Sequence, residues 1–348
     1  MLITPHPIET PLLPKFKGGL KFLNPKILSM IRLVVMIPAY NEEKSIANVI
    51  KNIPRSISGF NRVEVIVIND GSSDRTVSVA RNAGADKIVS HDSNKGVGAA
   101  FRTGVDAALR MGADVLVNID ADGQFNPTDI PKLVKPILER EAEMVAASRF
   151  MDKGFFPEMP LYKMIGNMFF TKIISMLTGN GFTDTQCGFR AYSKEAMLNL
   201  TLFGDFTYTQ EAFLDLKRKR MRIKEIPIKV TYKNIRESKV VKSPFGYLFR
   251  SGGIIIRTVR DFAPLKFFGM FGAVMLGLGS ISGSYILVHW LRTGMVSPHV
   301  PLTVLTAIML IFGVQLIILA LMAEMSGRNR ELIEKSLYME RKREYANR

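Results

Sequence analysis

Three short polar runs carry the chemistry that this chain of 348 residues could perform. They are Pro38-Ala39-Tyr40-Asn41-Glu42-Glu43, Asn69-Asp70-Gly71-Ser72-Ser73-Asp74 and Asp120-Ala121-Asp122-Gly123-Gln124, and each follows a β-branched apolar run. A carboxylate in such a place can simply cap a helix, and Asp70 or Asp74 alone reads as readily that way as any other. Asp120 and Asp122 are different. Acids at i and i+2 on a strand end point the same way, and two negative charges held together are unfavourable unless a cation lies between them. Hard oxygen ligands with open positions suit Mg²⁺ or Mn²⁺ bridging the protein to a diphosphate, so the pair implies a nucleotide diphosphate.

These runs need a sheet to hold them. Leu33 to Ile37, Val63 to Ile68, Val115 to Ile119 and Met144 to Ala147 are apolar enough for strands covered on both faces. Between them fall helical patterns: Ile46, Val49, Ile50 and Ile53 after an N-cap at Asn41, a second helix from Ser73 to near Gly84, and a third from Gly98 to Met111 closed by Gly112. The alternation predicts an α/β fold with a mostly parallel sheet, and in such sheets ligands sit at the carboxyl ends of the strands. Leu161 to Leu177 reads as a helix whose outer face is mostly apolar, fitting core packing and a role against a membrane equally well.

Two stretches, Phe267 to Trp290 and Val300 to Ala323, contain no Asp, Glu, Lys or Arg. About 24 residues at 1.5 Å each extend roughly 36 Å, enough to cross a bilayer, and a short link makes them a hairpin. Basic residues crowd both approaches and only Arg292 lies in the link, which predicts that both chain ends are cytoplasmic. The expected organisation is a Pro- and Lys-containing extension (1–31), a catalytic domain (32–243), an interfacial amphipathic segment (244–266), two spans (267–325) and a charged, solvated helical tail (326–348). The net charge of +16 comes with no zinc spacing, helix-turn-helix or aromatic RNA-binding motif, so anionic lipid and phosphate explain it better than nucleic acid. The lone Cys187 excludes an internal disulfide framework, and residues 1–31 lack the apolar core of a signal peptide.

Together with Asn94-Lys95-Gly96-Val97-Gly98 and Ser148-Arg149-Phe150, the polar runs resemble the ordered motifs of family 2 inverting glycosyltransferases of the GT-A fold, a Rossmann-like sheet with helices on both faces. Asp184-Thr185-Gln186-Cys187-Gly188-Phe189-Arg190 and Glu237-Ser238-Lys239, followed by spans, narrow the likeness to dolichyl-phosphate mannose synthases and polyprenyl-phosphate glycosyltransferases. The resemblance implies that Pro38, Tyr40, Glu42, Asn69 and Asp70 hold base and ribose. It places Asp120, Ala121, Asp122 and Gln124 along the diphosphate and metal, with Asp122 activating the leaving group. Arg149, Lys233 and Lys239 match positions that neutralise phosphates, Arg149 and Lys239 as catalytic groups. Arg149, Arg190 and Lys163 are candidates for the acceptor phosphate; Arg190 reads alternatively as a loop anchor and Lys163 as a surface lysine. Two positions depart from the pattern: Asn69 stands where the family has Asp, and Lys233 where it has Arg, which loses a bidentate fork.

The implied donor is GDP-mannose or a UDP-hexose, the implied acceptor a polyprenyl or dolichyl phosphate in the bilayer, and a homo-oligomeric state is left open. A lipid monophosphate is largely ionised at neutral pH and needs no general base. The difficulty is repulsion, about 4 kcal/mol for each pair of unit charges at 4 Å in a dielectric near 20. Three rival readings exist. A processive polysaccharide synthase calls for a Gln/Arg-x-x-Arg-Trp motif, but the sole tryptophan is Trp290 at a span boundary. A nicotinamide enzyme needs a Gly-rich turn where Pro38-Ala39-Tyr40 stands. A noncatalytic nucleotide-sugar scaffold would not need the intact acid pair and basic set.

Overall fold

The structure, a computed structural model, describes residues 31–152, 161–202, 208–230 and 264–346. Strands β1 (Arg32–Ala39) and β2 (Arg62–Asn69) are near-continuous runs of Val, Ile and Leu, the composition of strands buried on both faces. Successive residues of β1 point to opposite sides: Leu33, Val35, Ile37 and Ala39 enter one apolar cluster, Val34 and Met36 another. Helices α1 (Ile46–Lys51), α2 (Thr76–Asn82) and α4 (Ile130–Leu138) close the first cluster. Helix α3 (Val97–Arg110), with α5 (Leu161–Thr178), α6 (Lys194–Asn199) and α7 (Tyr208–Arg218), closes the second.

With β3 (Lys87–Ser90), β4 (Val115–Asn118), β5 (Met144–Ser148), β6 (Arg190–Ser193) and β7 (Ile223–Pro227) the sheet runs β3-β2-β1-β4-β6-β5-β7. Only β6 is antiparallel to its neighbours. The order reverses at β1, so the carboxyl ends of β1 and β4 flank the crevice where α/β sheets bind ligands. The expected strands are all present. Three more were not read: β3 is a short edge, β6 opens on a charged residue, and β7 carries Lys224 and Glu225 among its apolar positions. Asn41 is not the N-cap expected of it. It sits at φ 54, and its Oδ1 accepts from the Ser73 amide at 2.9 Å, tying two of the polar runs together.

Gly104 lets α3 lie against the sheet, since a Cβ there would fall 1.8 Å from the sulfur of the buried Met36 and 3.2 Å from Ile68. Gly104→Ala is expected to overpack this face by about 1–3 kcal/mol, offset only partly by the roughly 1 kcal/mol gain in helix propensity. A thermal melt should show the midpoint fall by a few degrees.

Helices α8 (Pro264–Thr293) and α9 (Val300–Tyr345) form an antiparallel pair and are candidate membrane spans by length and apolarity. They approach at small residues: a Cβ on Gly272 would meet Ile317 and the Gly313 carbonyl, and one on Gly279 would meet Leu310. Ser282 and Thr306 hydroxyls lie 2.7 Å apart across the seam. Helix α9 does not stop at the apolar boundary. Its 46 residues extend about 69 Å, and the charged part docks on the α/β domain instead of standing in solvent as expected. Glu334 pairs with Arg218, the last residue of α7, and with Lys219 just beyond it, Tyr338 donates to Glu195 at 2.9 Å, and Arg341 donates to the Leu200 carbonyl at 2.7 Å. Tyr345 is buried in the α3/α7 cluster and donates to Asp106 at 2.5 Å. A helix bearing these charges looks solvated from its composition because its partners lie more than a hundred residues away. The proposed interfacial segment falls outside the described residues except for Pro264 to Lys266, which open α8.

Candidate functional site

Backbone bonds set the three polar runs side by side. The Asp70 amide donates to the Ala39 carbonyl at 2.9 Å and the Ile119 amide to the Met36 carbonyl at 3.0 Å, which brings Pro38, Asp70 and Asp120 to one edge of the sheet. Tyr40 is exposed at the β1 tip and Pro38 half-buried below it. Glu42 is turned back toward α1, with its Oε2 accepting from the Ser45 hydroxyl at 2.6 Å.

Asp70 lies beneath the cleft wall rather than in the open cleft expected for a base or ribose ligand. Its carboxylate is buried and accepts from the Lys95 and Gly96 amides, each at 2.9 Å, and meets His91 Nδ1 at 2.8 Å. His91 in turn reaches the Thr103 hydroxyl at 3.0 Å. Gly71 makes the close approach possible, because a Cβ there would lie 2.5 Å from the Ser93 carbonyl carbon. Asn69 is likewise buried; its Oδ1 accepts from the Ser72 amide at 3.0 Å and its amide donates to Ser90 at 3.2 Å. Asp70 therefore shapes the Lys95-Gly96 loop, and Asn69 the turn at Ser72 and the end of β3.

At the β4 end Asp122 is exposed and accepts from the Gln124 amide at 3.0 Å, Ala121 is buried, and Gln124 is half-buried. Asp120 packs over Gly188, where a Cβ would come 2.9 Å from its carboxylate. Burial, and next the Asp122 charge, push the Asp120 carboxyl up to about 7 against the opposing pull of Arg149 and Arg190. Among the described residues no three His, Cys, Asp or Glu side chains converge on a metal position. The protein thus offers an open acidic pair, the donor set Mg²⁺ or Mn²⁺ takes when a diphosphate completes its shell. The residues fit such an ion, which would offset the repulsion between Asp120 and Asp122.

Arg149, just past β5, meets Asp184 through its fork, Nε to Oδ2 at 2.6 Å and Nη2 to Oδ1 at 3.0 Å. Asp184 is fully buried and also accepts from Asn167 and from the Gln186 and Cys187 amides, each at 3.2 Å. Burial pushes its carboxyl up, but the Arg149 charge and these bonds hold it below the usual carboxylate range. Arg190 is not a phosphate ligand in this arrangement. It is fully buried, and it donates to the carbonyls of Cys187 at 2.7 Å, Thr185 at 2.9 Å and Thr209 at 2.5 Å while stacking over Phe213. Opening the antiparallel β6 between β4 and β5 puts it inside the sheet, which supports the loop-anchor reading. Lys163 stands in the first turn of α5 with its side chain outside the described residues, and Lys233 and Lys239 lie outside them altogether.

A family model described as "Glycosyl transferase family 2" matches residues 34–200. The chain is 36% identical over 219 residues to a UDP-N-acetylglucosamine–dolichyl-phosphate N-acetylglucosaminyltransferase of Methanococcus voltae, a match spanning 58% of this chain and 86% of that protein. The chain belongs to glycosyl transferase family 2. It is also 28% identical to the polyprenol monophosphomannose synthase of Mycolicibacterium smegmatis, over 60% of this chain and 81% of that one. Among solved structures, glucosyl-3-phosphoglycerate synthase from Mycobacterium tuberculosis in complex with UDP matches with TM-score 0.50 and 21% identity, covering 64% of this chain and 78% of that chain. That likeness extends to the fold alone.

This family 2 glycosyltransferase also uses residues that sequence reading gave no role. His91, Thr103 and Asn167 are invisible without the fold: His91 meets the Asp70 carboxylate and Asn167 that of Asp184, while Thr103 holds the far nitrogen of His91. Glu225 of β7 is another: it accepts from the Thr183 and Asp184 amides, each at 2.8 Å, holding the loop that carries Asp184.

Proposed function

We propose that this glycosyltransferase moves a hexose or N-acetylhexosamine from a nucleotide-diphosphate sugar to a polyprenyl or dolichyl phosphate, with both chain ends cytoplasmic and the α8–α9 hairpin in the bilayer. The observation that carries the reading is the Asp120–Asp122 pair at the β1/β4 crevice of a family 2 chain that also bears two membrane-length apolar helices. The two relatives whose names specify a lipid-phosphate product or acceptor support the acceptor class.

In this reading Asp120, Asp122 and Gln124 hold a divalent cation, which when bound offsets the negative charge building on the departing diphosphate. Tyr40 and Pro38 line the donor side, over a wall whose shape Asp70 and Asn69 set from behind. A phosphate oxygen of the acceptor attacks the anomeric carbon as the bond to the nucleotide diphosphate breaks, so the configuration inverts and no protein base is required. Arg149 presents a guanidinium whose direction Asp184 fixes. Because that pair is nearly neutral as a unit, the remaining positive charge for the two phosphates is assigned to Lys239, Lys233 and Lys163.

Protein purified in detergent, given polyprenyl phosphate and in turn UDP-N-acetylglucosamine, UDP-glucose and GDP-mannose, is expected to make an organic-extractable glycolipid from one donor. Addition of excess chelator should abolish the signal and Mg²⁺ or Mn²⁺ should restore it. Undiminished transfer in chelator removes the metal from the proposal. Preference for a water-soluble acceptor removes the lipid phosphate.

A further inference from the structure

Helix α5 has two faces with opposite surroundings. On one, Asn167, Phe170, Thr171 and Ile174 are buried. Asn167 donates to Asp184 at 3.2 Å, and the Thr171 hydroxyl accepts from the Thr185 amide at 3.2 Å. On the other, Ile165, Met168, Phe169 and Met176 are 57%, 57%, 56% and 73% exposed. With the exposed Lys172 they recur at three- and four-residue steps and form one stripe along the helix. Four large apolar side chains standing open on one stripe are a surface that a partner covers.

The position of α5 says which partner. Phe182, just beyond its C-terminal end, packs edge-on against Phe213 of α7 at 4.6 Å, with Lys217 Nζ 5.9 Å above the Phe182 ring. The next residue, Arg218, pairs with Glu334 of α9. Glu334 lies 11 residues past Ala323, the end of the uncharged run, a climb of about 16 Å along a helix. The C-terminal end of α5 therefore lies on the flank where α9 enters its apolar stretch.

We propose that α5 lies on the cytoplasmic face of the bilayer, with Ile165, Met168, Phe169 and Met176 in the boundary between headgroups and acyl chains and Lys172 against anionic headgroups. This rests on the reading of α8 and α9 as spans. The arrangement gives one helix two tasks: its outer face meets lipid, and its inner face holds Asp184 and through it Arg149. The acceptor side of the cleft is thereby set at the surface where a lipid phosphate emerges.

The test uses full-length protein with a nitroxide label at Met168→Cys or Met176→Cys, and at Ser78→Cys on the water-facing side of α2 as reference. Cys187 is buried, with its thiol pushed up to about 12 by that burial, and stays unlabelled. In vesicles of phosphatidylcholine and phosphatidylglycerol, the two α5 labels should collide with oxygen in preference to a water-soluble nickel chelate, and the Ser78 label should do the reverse. Labels on α5 that behave like the one at position 78 overturn the proposal, as do labels shielded from both reagents, which would mean that another segment or a second copy covers the face. The double variant Met168→Glu/Phe169→Glu should then lose about tenfold or more of transfer to polyprenyl phosphate in vesicles and keep its rate on a short-chain, water-soluble prenyl phosphate. Equal loss on both acceptors assigns the stripe to folding and overturns the proposal. Wild-type protein inactive on both acceptors rejects the acceptor reading instead, and the labels decide the docking independently.

Discussion

Asp122→Ala is expected to lower sugar transfer about 10³-fold while moving the melting temperature by no more than a few degrees. A cation that stabilises the leaving diphosphate contributes several kcal/mol to the transition state, and each 1.36 kcal/mol is about tenfold in rate. Asp122 is exposed on the turn closed by Gly123 at φ 74, so its loss opens no core cavity. Asp122→Asn sharpens the test, because an amide oxygen can still accept from the Gln124 amide while the charge is gone. Activity should fall nearly as far as in the alanine variant. Binding also has a readout apart from turnover: Mn²⁺ at about 100 times its Kd stabilises a folded protein by roughly 2.7 kcal/mol. That ion should raise the melting temperature of the wild type and leave Asp122→Ala unmoved. Wild-type rates in either variant would falsify the assignment.

Asp184→Ala should have the largest effect on stability, about 3–5 kcal/mol, which for a domain of this size is a drop on the order of 10 °C in melting temperature. The carboxylate is fully buried and receives Arg149, Asn167 and the Gln186 and Cys187 amides. Removing it takes the bidentate partner from the largely buried Arg149 and leaves the Asn167, Gln186 and Cys187 donors in a buried place without this acceptor. The double variant Arg149→Ala/Asp184→Ala should be more stable than Asp184→Ala, since the stranded charge goes with its partner. Additive losses would mean that the pair is not coupled. The same bond gives a pH signature. The folded-state value is held below the unfolded one near 3.9, so the stabilisation is complete above that value and is lost as pH falls through the folded-state value. Wild type should lose stability below about pH 4 more steeply than Asp184→Asn.

The sheet was legible because burial on both faces leaves uninterrupted apolar runs, as in β1 and β2, and because a carboxylate pair at a strand end has few structural explanations. The acid pair and the polar run after β1 are where the sequence placed them. The basic residues were harder, since a cation is interpretable only with its counter-charge. Arg149 and Asp184 are 35 residues apart, and Arg190 reads as a phosphate ligand until the antiparallel β6 turns it inward. Asp70 looked like a ligand for the same reason, and His91 explains where it points. The tail misled in the opposite sense: its charges suggested water, whereas Glu334 and Arg341 meet partners on helices encoded far upstream.

The burial of Tyr345 has a bearing on biosynthesis. This residue lies beyond both apolar stretches in chain order, yet it is buried with the second apolar cluster of the α/β domain and donates to Asp106 of α3. Among the described residues, part of that side of the domain is closed by a segment synthesised after the hairpin. A nascent chain that has emerged through Arg218 but not beyond leaves this surface uncovered, and it is completed once the two long apolar helices have been made. Completion of the transferase domain is thus bound to synthesis of the α8–α9 pair, with a half-made chain lacking part of its own interior.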